Sequence, residues 1–252
     1  MRGIFFGATP VVAEIVHKTI NIKVIAIESQ RFSKEIFDFS HYIGADLIFV
    51  DSIDEVLRAV RDVNIGISYG FGLKFSKQVI DSFSHGLINI HTGDLPNYRG
   101  RHPISWAMIK GEDKIGVTVH QVDEQFDSGY LIHKFYVDRF FYDDLHTIET
   151  KIETALAIEF PKAMKNLFNG DFSKIQEGAY LDRIDQVFAT VDPRKMQSKQ
   201  LFSLFRSQKV YSGVNILGQK KTECHIYNKV FDSHYNGYEI YECADQVLVA
   251  IK

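Results

Sequence analysis

Apolar and polar positions run through the first hundred residues in two rhythms. RGIFFG, KVIAIES, ADLIFVD, NIGISYG and HGLINIH are short, unbroken apolar runs rich in Ile, Val and Phe. Such runs are the mark of strands buried on both faces. Between them, apolar residues recur at helical spacing. ATPVVAEIVHKTI predicts a helix with Pro10 in its first turn, where a proline lacks no needed donor. SKEIFDFSHYIG predicts a helix ended by Gly44, SIDEVLRAVRD one opened by Ser52, and LKFSKQVIDSF another. Strand and helix in alternation predict a parallel sheet covered on both faces.

After residue 100 the rhythm changes. ISWAMIKGE predicts a helix, GVTVHQV a strand, and YLIHKFYV an edge or antiparallel strand. From Leu145 to Asn169 apolar residues return at helical spacing, with Pro161 marking a kink or a boundary. VDPRKMQSKQLFSLFRS predicts a turn and one more helix. The final stretch, from Tyr227 to Lys252, predicts two or three short strands around the Asn236-Gly237 turn signal. There is no repeat and no low-complexity linker, so one α/β domain with a small C-terminal α+β appendage is expected.

Composition narrows the class. The chain has 252 residues, a net charge of −3, 45% hydrophobic and 24% charged residues. That is ordinary globular composition, and a slightly acidic total gives no support for a broad nucleic-acid surface. The opening MRGIFFGATP runs straight into a strand and does not read as a signal peptide. The apolar runs are too short to span a bilayer. Cys224 and Cys243 have no metal-ligand spacing and read as reduced thiols of a cytoplasmic protein with no metal site.

The candidate chemistry begins at the end of HGLINIH. In an open parallel sheet, ligands bind beyond the carboxyl ends of the strands. Asn89 and His91 stand two residues apart there, on one side of the strand. Asp127 lies in a loop between two strands, and Ser128-Gly129 would turn it back over the sheet edge. The plainer readings are a polar strand end satisfied by backbone and an aspartate capping its own turn. Taken together, an amide, an imidazole and a carboxylate can stabilise an oxyanion and move a proton. No Ser or Cys sits in a nucleophile elbow. This set therefore suits transfer to a nucleophile that the substrate supplies, typically an amine.

Asn89-Ile90-His91, Leu95-Pro96, Tyr98-Arg99-Gly100, Pro103, Gly116-Val117-Thr118, His120 and Asp127-Ser128-Gly129 resemble, in that order, the signature of the folate-dependent formyltransferases. FFGATPVVAEIV and ISYGFGL are similar to that family's first strand–helix unit and its folate-side loop. One departure is Gly93-Asp94-Leu95-Pro96, where many members carry Ser-Leu-Leu-Pro. The resemblance covers roughly residues 1–185 and implies a Rossmann-like formyltransferase core with a mainly parallel sheet. It implies an N-terminal catalytic domain over 1–185 and a small C-terminal subdomain over 186–252. The co-substrate it implies is N10-formyltetrahydrofolate. Asn89 and His91 would stabilise the oxyanion and Asp127 would assist proton removal from the amine. The pterin would lie against Tyr69, Phe71, Gly72 and Leu73 and against Val122, Asp123 and Phe126.

Three acceptors compete within that family: methionyl-tRNA, glycinamide ribonucleotide and nucleotide-linked amino sugars. The last 65 or so residues are of mixed charge without a lysine-rich patch, which counts against tRNA. YRGRHPISW looks most like the sugar-nucleotide branch. Thr92, Tyr98, Arg99, Gly100, Arg101 and Trp106 would then face the acceptor, the arginines because a planar guanidinium pairs with diphosphate oxygens. Solvated arginines and a packed tryptophan are the plainer alternatives. The expected acceptor is dTDP-4-amino-4,6-dideoxyglucose, on a route to O-antigen or a similar surface glycan, with 3-amino and UDP-linked sugars left open. Free-standing sugar N-formyltransferases often dimerise through such a C-terminal piece, so a homodimer is expected. Tyr227, Phe231, Tyr235, Tyr238 and Tyr241 would form the core of this piece, a dimer face or a base-stacking surface. A silent binding module and a formate-releasing hydrolase are the readings outside this class; the intact polar set argues against the first and the YRGR loop against the second.

Overall fold

A computed structural model describes residues 1–208 and 213–252. The first elements are β1 (Arg2–Phe6), α1 (Pro10–His17), β2 (Asn21–Glu28), α2 (Lys34–Ile43), β3 (Asp46–Val50), β4 (Ile65–Tyr69), α3 (Lys77–Asp81) and β5 (Leu87–His91). Then come β6 (Arg99–Gly100), α4 (Pro103–Lys110), β7 (Lys114–Gln121), β8 (Tyr130–Asp138), α5 (Leu145–Asn169), β9 (Ser173–Lys174) and β10 (Tyr180–Leu181). The last are α6 (Ile184–Val187), α7 (Ser198–Gln208), β11 (Val214–Ile216), β12 (Gln219–Lys221), β13 (Cys224–Ile226), β14 (Glu239–Glu242) and β15 (Leu248–Ile251). They form two compact units. The first comprises Met1–Asn97, Gly116–Phe135 and Ile152–Gly178; the second comprises Tyr98–Ile115, Tyr136–Lys151 and Ala179–Lys252.

The first unit carries an eight-stranded sheet in the order β3-β2-β1-β4-β5-β7-β8-β9. Strands β3 to β5 pair in parallel, and β7 joins β5 antiparallel. This is the Rossmann-like, mainly parallel arrangement expected. The strand order reverses between β1 and β4, which is where such sheets open a crevice at their carboxyl edge. Pro10 opens α1, which buries Val12, Ala13, Ile15 and Val16. Ser33 caps α2 by accepting from the Ile36 N–H, and Gly44 ends it in the left-handed region.

Local departures from the expected pattern have physical causes. Residues 53–62 wind as two short 3₁₀ turns, Ile53–Arg58 and Val60–Asp62, instead of an α-helix. Ser52 makes no side-chain cap, while Glu55 reaches back to the Asp51 N–H at 3.2 Å. The tighter winding buries Val56, Val60 and Val63 together under the sheet. Helix α3 starts only at Ser76, whose hydroxyl caps it, because Leu73, Lys74 and Phe75 line a cleft instead. Helix α5 runs through Pro161, so that proline is not a boundary.

In the second unit α4 packs on α7, and Leu201, Phe202, Leu204 and Phe205 of α7 meet Val214, Ile216, Val249 and Ile251. Cys224 and Cys243 are buried in this core as free thiols, and burial pushes them up to about 12 and about 11. Both are inert at neutral pH. The C-terminal strands pair as β13-β15-β14. Asn236-Gly237 therefore joins no paired strands. The hairpin is β14–β15, and Gln246, at φ 61°, closes it. A second hairpin, β11–β12, turns at Leu217-Gly218, both at positive φ. No helix of the described residues is long and apolar enough to cross a membrane.

Two glycines separate backbone strain from crowding. Gly44 has φ 65° with nothing within 4 Å of a Cβ, whereas at Gly129 (φ 93°) a Cβ would lie 2.1 Å from the Gln121 carbonyl oxygen. Denaturant unfolding should show Gly44→Ala losing about 1 kcal/mol and Gly129→Ala about 3 kcal/mol or more. Equal losses would contradict the close approach of the 122–129 loop to β7.

Candidate active site

The site is built from a strand register. Across β4, β5 and β7 the partners are Ser68↔Asn89 and Asn89↔His120, and one step further His91 faces Thr118. Partners in neighbouring strands project to the same face. Ser68, Asn89 and His120 therefore form one polar row near the carboxyl edge, with His91 and Thr118 beside it. Ser68, His91, Thr118 and His120 are buried. Thr118 donates to the Gly93 carbonyl at 2.7 Å and accepts from the Leu95 N–H at 3.1 Å, which fixes the chain after His91. Lys134 ties the same loop through Asp94 at 2.6 Å.

His120 decides how the amide of Asn89 points. Its Nδ1 faces the carbonyl oxygens of Ser128 at 2.9 Å and Gln121 at 3.3 Å, so Nδ1 carries the proton. Its Nε2 is then an acceptor, and the amide nitrogen of Asn89 donates to it at 3.2 Å. Burial, with the His91 ring adding to it, pushes the His120 imidazole down to about 4, and Asp127 and the two carbonyls oppose that only in part. A neutral imidazole with a fixed tautomer results.

His91 turns its Nδ1 to Asp127 Oδ1 at 3.3 Å, with both side chains largely buried. Asp127 is held at φ 52°, a conformation that aspartate tolerates better than most residues. Its loop is braced by Asp123, whose carboxylate accepts from the Gln125 N–H at 2.9 Å and from the Ser128 hydroxyl. Beside this group lies a cleft walled by Phe71, Leu73, Phe75, Val122 and Phe126, with Ser68, Asn89, His120, Asp123 and Asp127 also on its lining. Phe71 and Phe75 stack at 5.5 Å. The turn at 70–72 is pinned from β2: Glu28 accepts from the Gly72 N–H at 3.3 Å, and Arg31 donates to the Gly70 carbonyl. Tyr69 is buried at the end of β4.

Residues 14–164 match the family described as formyl transferase. The chain belongs to the formyl transferase family. Among curated proteins, methionyl-tRNA formyltransferase of Halothermothrix orenii is 28% identical over 182 residues, 69% of this chain and 57% of its own length. The chain spans about half the length of the curated relatives it matches. Among solved structures, the N-formyltransferase from Helicobacter canadensis, in complex with folinic acid and dTDP-3-aminofucose, superposes with TM-score 0.73 at 16% identity. That match covers 100% of this chain and 98% of that one. A 4-N formyltransferase from Francisella tularensis gives TM-score 0.68 at 18% identity over 87% of this chain and 94% of its own. At these identities the structural likeness speaks to the fold.

The expected residues of this formyl transferase divide between the units. Asn89, His91, Asp127, Tyr69, Phe71, Gly72, Leu73, Val122, Asp123 and Phe126 lie in the first unit, as does half-buried Thr92. Tyr98, Arg99, Gly100, Arg101 and Trp106 lie in the second. There Tyr98 donates its hydroxyl to Glu112 at 2.6 Å, and Trp106 donates its indole N–H to the Asp182 carbonyl at 2.8 Å and packs on Phe188. At Gly100 a Cβ would lie 2.4 Å from the Leu181 carbonyl, so β6 and β10 can pair only with a glycine there. Arg101 is exposed beside that pair. His120 was part of the family signature, but sequence reasoning gave it no place in the site. The available signal was period two: Thr118 and His120 in GVTVHQ mirror Asn89 and His91 in LINIH.

A histidine kept neutral by burial destabilises the fold in acid. The unfolded chain takes up the proton near the ordinary 6.5 and the folded chain only near 4. Stability present at neutral pH is thus lost as pH falls through that window. The stability advantage of wild type over His120→Gln should shrink by roughly 2–3 kcal/mol between about pH 7 and about pH 4.5. Urea unfolding of both proteins across that range checks this, and a constant difference would contradict it.

Proposed function

We propose that the chain transfers a formyl group from N10-formyltetrahydrofolate to the amino group of a nucleotide-linked amino sugar, with dTDP-4-amino-4,6-dideoxyglucose as the expected acceptor. The observation that carries this reading is the polar group Asn89, His120, His91 and Asp127 beside an apolar cleft, in which His120 is engaged by Asn89 and the Ser128 carbonyl and not by a serine or cysteine that it could activate. The reacting nucleophile then comes with the substrate, as an amine does. The cleft walls of Phe71, Leu73, Phe75, Val122 and Phe126 suit a flat heterocycle. The cleft measures about 70 Å³, less than a drug-sized ligand occupies, so the pterin would have to widen it on binding. When bound there, the folate supplies the formyl carbon.

The residues then divide the work. Asn89 already gives one amide hydrogen to His120, and its second hydrogen is aimed where negative charge develops on the formyl oxygen. Because His120 holds the amide in place beforehand, no reorganisation is needed during reaction. His91, held at Nδ1 by Asp127, presents Nε2 to the same oxygen when it is protonated. Asp127 balances that charge and receives the proton leaving the amine. Arg99 and Arg101 take the diphosphate.

The end-to-end overlap with the Helicobacter canadensis protein extends through the second unit and supports a sugar-nucleotide acceptor. The methionyl-tRNA formyltransferases, at 27% identity and above, support tRNA as the second reading. Formyl transfer to a panel of amino sugar nucleotides, methionyl-tRNA and glycinamide ribonucleotide separates them. Turnover on a dTDP-amino sugar is expected; turnover on the tRNA alone would replace the acceptor while keeping the chemistry.

His91→Asn should leave the fold intact and lower kcat by about two to four powers of ten. Near-normal turnover would remove His91 from the reaction. Arg101→Ala should raise KM for the sugar nucleotide about tenfold while leaving KM for the folate in place. An unchanged KM would move the diphosphate elsewhere.

A further inference from the structure

The apolar cleft beside Asn89 has two walls, and they are held in different ways. The wall at 122–127 braces itself: Asp123 accepts from the Gln125 N–H and from the Ser128 hydroxyl, within one loop. The wall at 70–75 does not. Among the described residues, Gly70 to Phe75 make no backbone–backbone hydrogen bond outside the strand ladders. The rings of this wall are packed, with Phe71 and Phe75 lying 5.4 and 5.0 Å from Phe6. Apolar packing is non-directional and does not by itself fix a backbone. The polar ties of this turn come from outside it, from Glu28 at the end of β2 and from Arg31 just beyond.

Glu28 is 6% exposed, and its Oε2 takes two donors, Arg31 Nε at 3.0 Å and the Gly72 N–H at 3.3 Å. Arg31 in turn donates through Nη1 to the Gly70 carbonyl. One ion pair thus holds a donor and an acceptor of the turn, two residues apart. A buried carboxylate is costly unless it is paired and hydrogen-bonded, and Glu28 is both. Neither Glu28 nor Arg31 lines the cleft. Gly72 shows how close the fit is. It does not share the positive φ of Gly70, yet a Cβ on it would lie 2.8 Å from Glu28 Oε1. The glycine is needed for the approach of the carboxylate and not for its own conformation.

We propose that Glu28 and Arg31 are positioning residues: they fix the 70–75 wall before the ligand arrives, and so set the affinity of the cleft without touching what binds in it. The proposal rests on the reading of this cleft as the folate site. A wall already ordered spares the ligand the cost of ordering it. The effect falls on binding and not on the chemical step, because Asn89, His91, His120 and Asp127 are held by other bonds. Loss of the tie therefore weakens the folate and leaves both the turnover of bound folate and the acceptor as they were.

Calorimetric titration of the whole protein with folinic acid, and kinetics with N10-formyltetrahydrofolate, test this. Glu28→Ala should raise Kd for folinic acid and KM for the co-substrate about tenfold, with kcat within about threefold and KM for the acceptor unchanged. Glu28→Gln keeps an acceptor for the Gly72 N–H and should recover most of the loss; it stays readable if Glu28→Ala does not fold. Gly72→Ala should weaken folinic acid on the unaltered background and add little to Glu28→Ala, since its methyl group meets the carboxylate which that variant removes. Amide exchange at Gly72 should quicken in Glu28→Ala, while exchange in β5 and β7 stays slow. Unchanged folinic acid affinity in Glu28→Ala alongside faster exchange at Gly72 would overturn the proposal and leave the folate reading standing. So would a fall in kcat at constant KM, or a Glu28→Gln as weak as Glu28→Ala. Failure of the unaltered protein to bind folinic acid at millimolar concentration would overturn the folate reading, and this proposal with it.

Discussion

The geometry of the site depends on the antiparallel register of β5 against β7. Parallel strands dominate the sheet, and β7 breaks the pattern so that Asn89 stands opposite His120 and His91 opposite Thr118. Side chains alternate faces with period two, so a slip of β7 by one residue would turn Thr118 and His120 to the face opposite Asn89 and His91. In this register each polar atom of the row constrains the next. The Ser128 carbonyl sets the tautomer of His120, and His120 sets the amide of Asn89. The loop that delivers Ser128 also delivers Asp127 to His91, and Gly129 lets it pass close to β7. A buried imidazole is costly unless its donors and acceptors are met, so this row is held as a unit.

Much of this was legible in the sequence. Strand and helix rhythm located every strand of the parallel part, and period two placed Asn89 and His91 on one face. Periodicity has no means of pairing strands, however, and pairing is what brings His120 to Asn89. Likewise the short strands expected around Asn236-Gly237 could not be paired from the sequence: β13 and β14, on either side of it, both pair with β15 and not with each other. Residues 53–62 kept a helical pattern of valines but wound more tightly, as two 3₁₀ turns that bury Val56 and Val60 in one cluster. The internal contacts of Tyr98 with Glu112, of Gly100 in the β6–β10 pair and of Trp106 with Asp182 were likewise not legible in the sequence.

Each unit places its polar groups differently. In the first, they meet one another across strands and leave a narrow apolar cleft beside them. In the second, a wider cavity leaves Gln208 and Asn215 with atoms unmet, and its rim carries the Arg183–Asp185 ion pair. Neither amide stands out in the sequence, since Gln208 ends a helix and Asn215 sits inside a three-residue strand. Only packing shows which buried amides go unpaired.

The central claim is that a neutral His120, protonated on Nδ1, aims the amide of Asn89. The nitrogen-15 spectrum of the His120 imidazole, assigned by loss of its signals in His120→Gln, tests it most directly. The account predicts a protonated Nδ1 and a bare Nε2 at neutral pH, persisting well below the ordinary histidine range. A proton on Nε2 at neutral pH would contradict it, because the Asn89 amide could then no longer donate to His120 and would have no fixed aim.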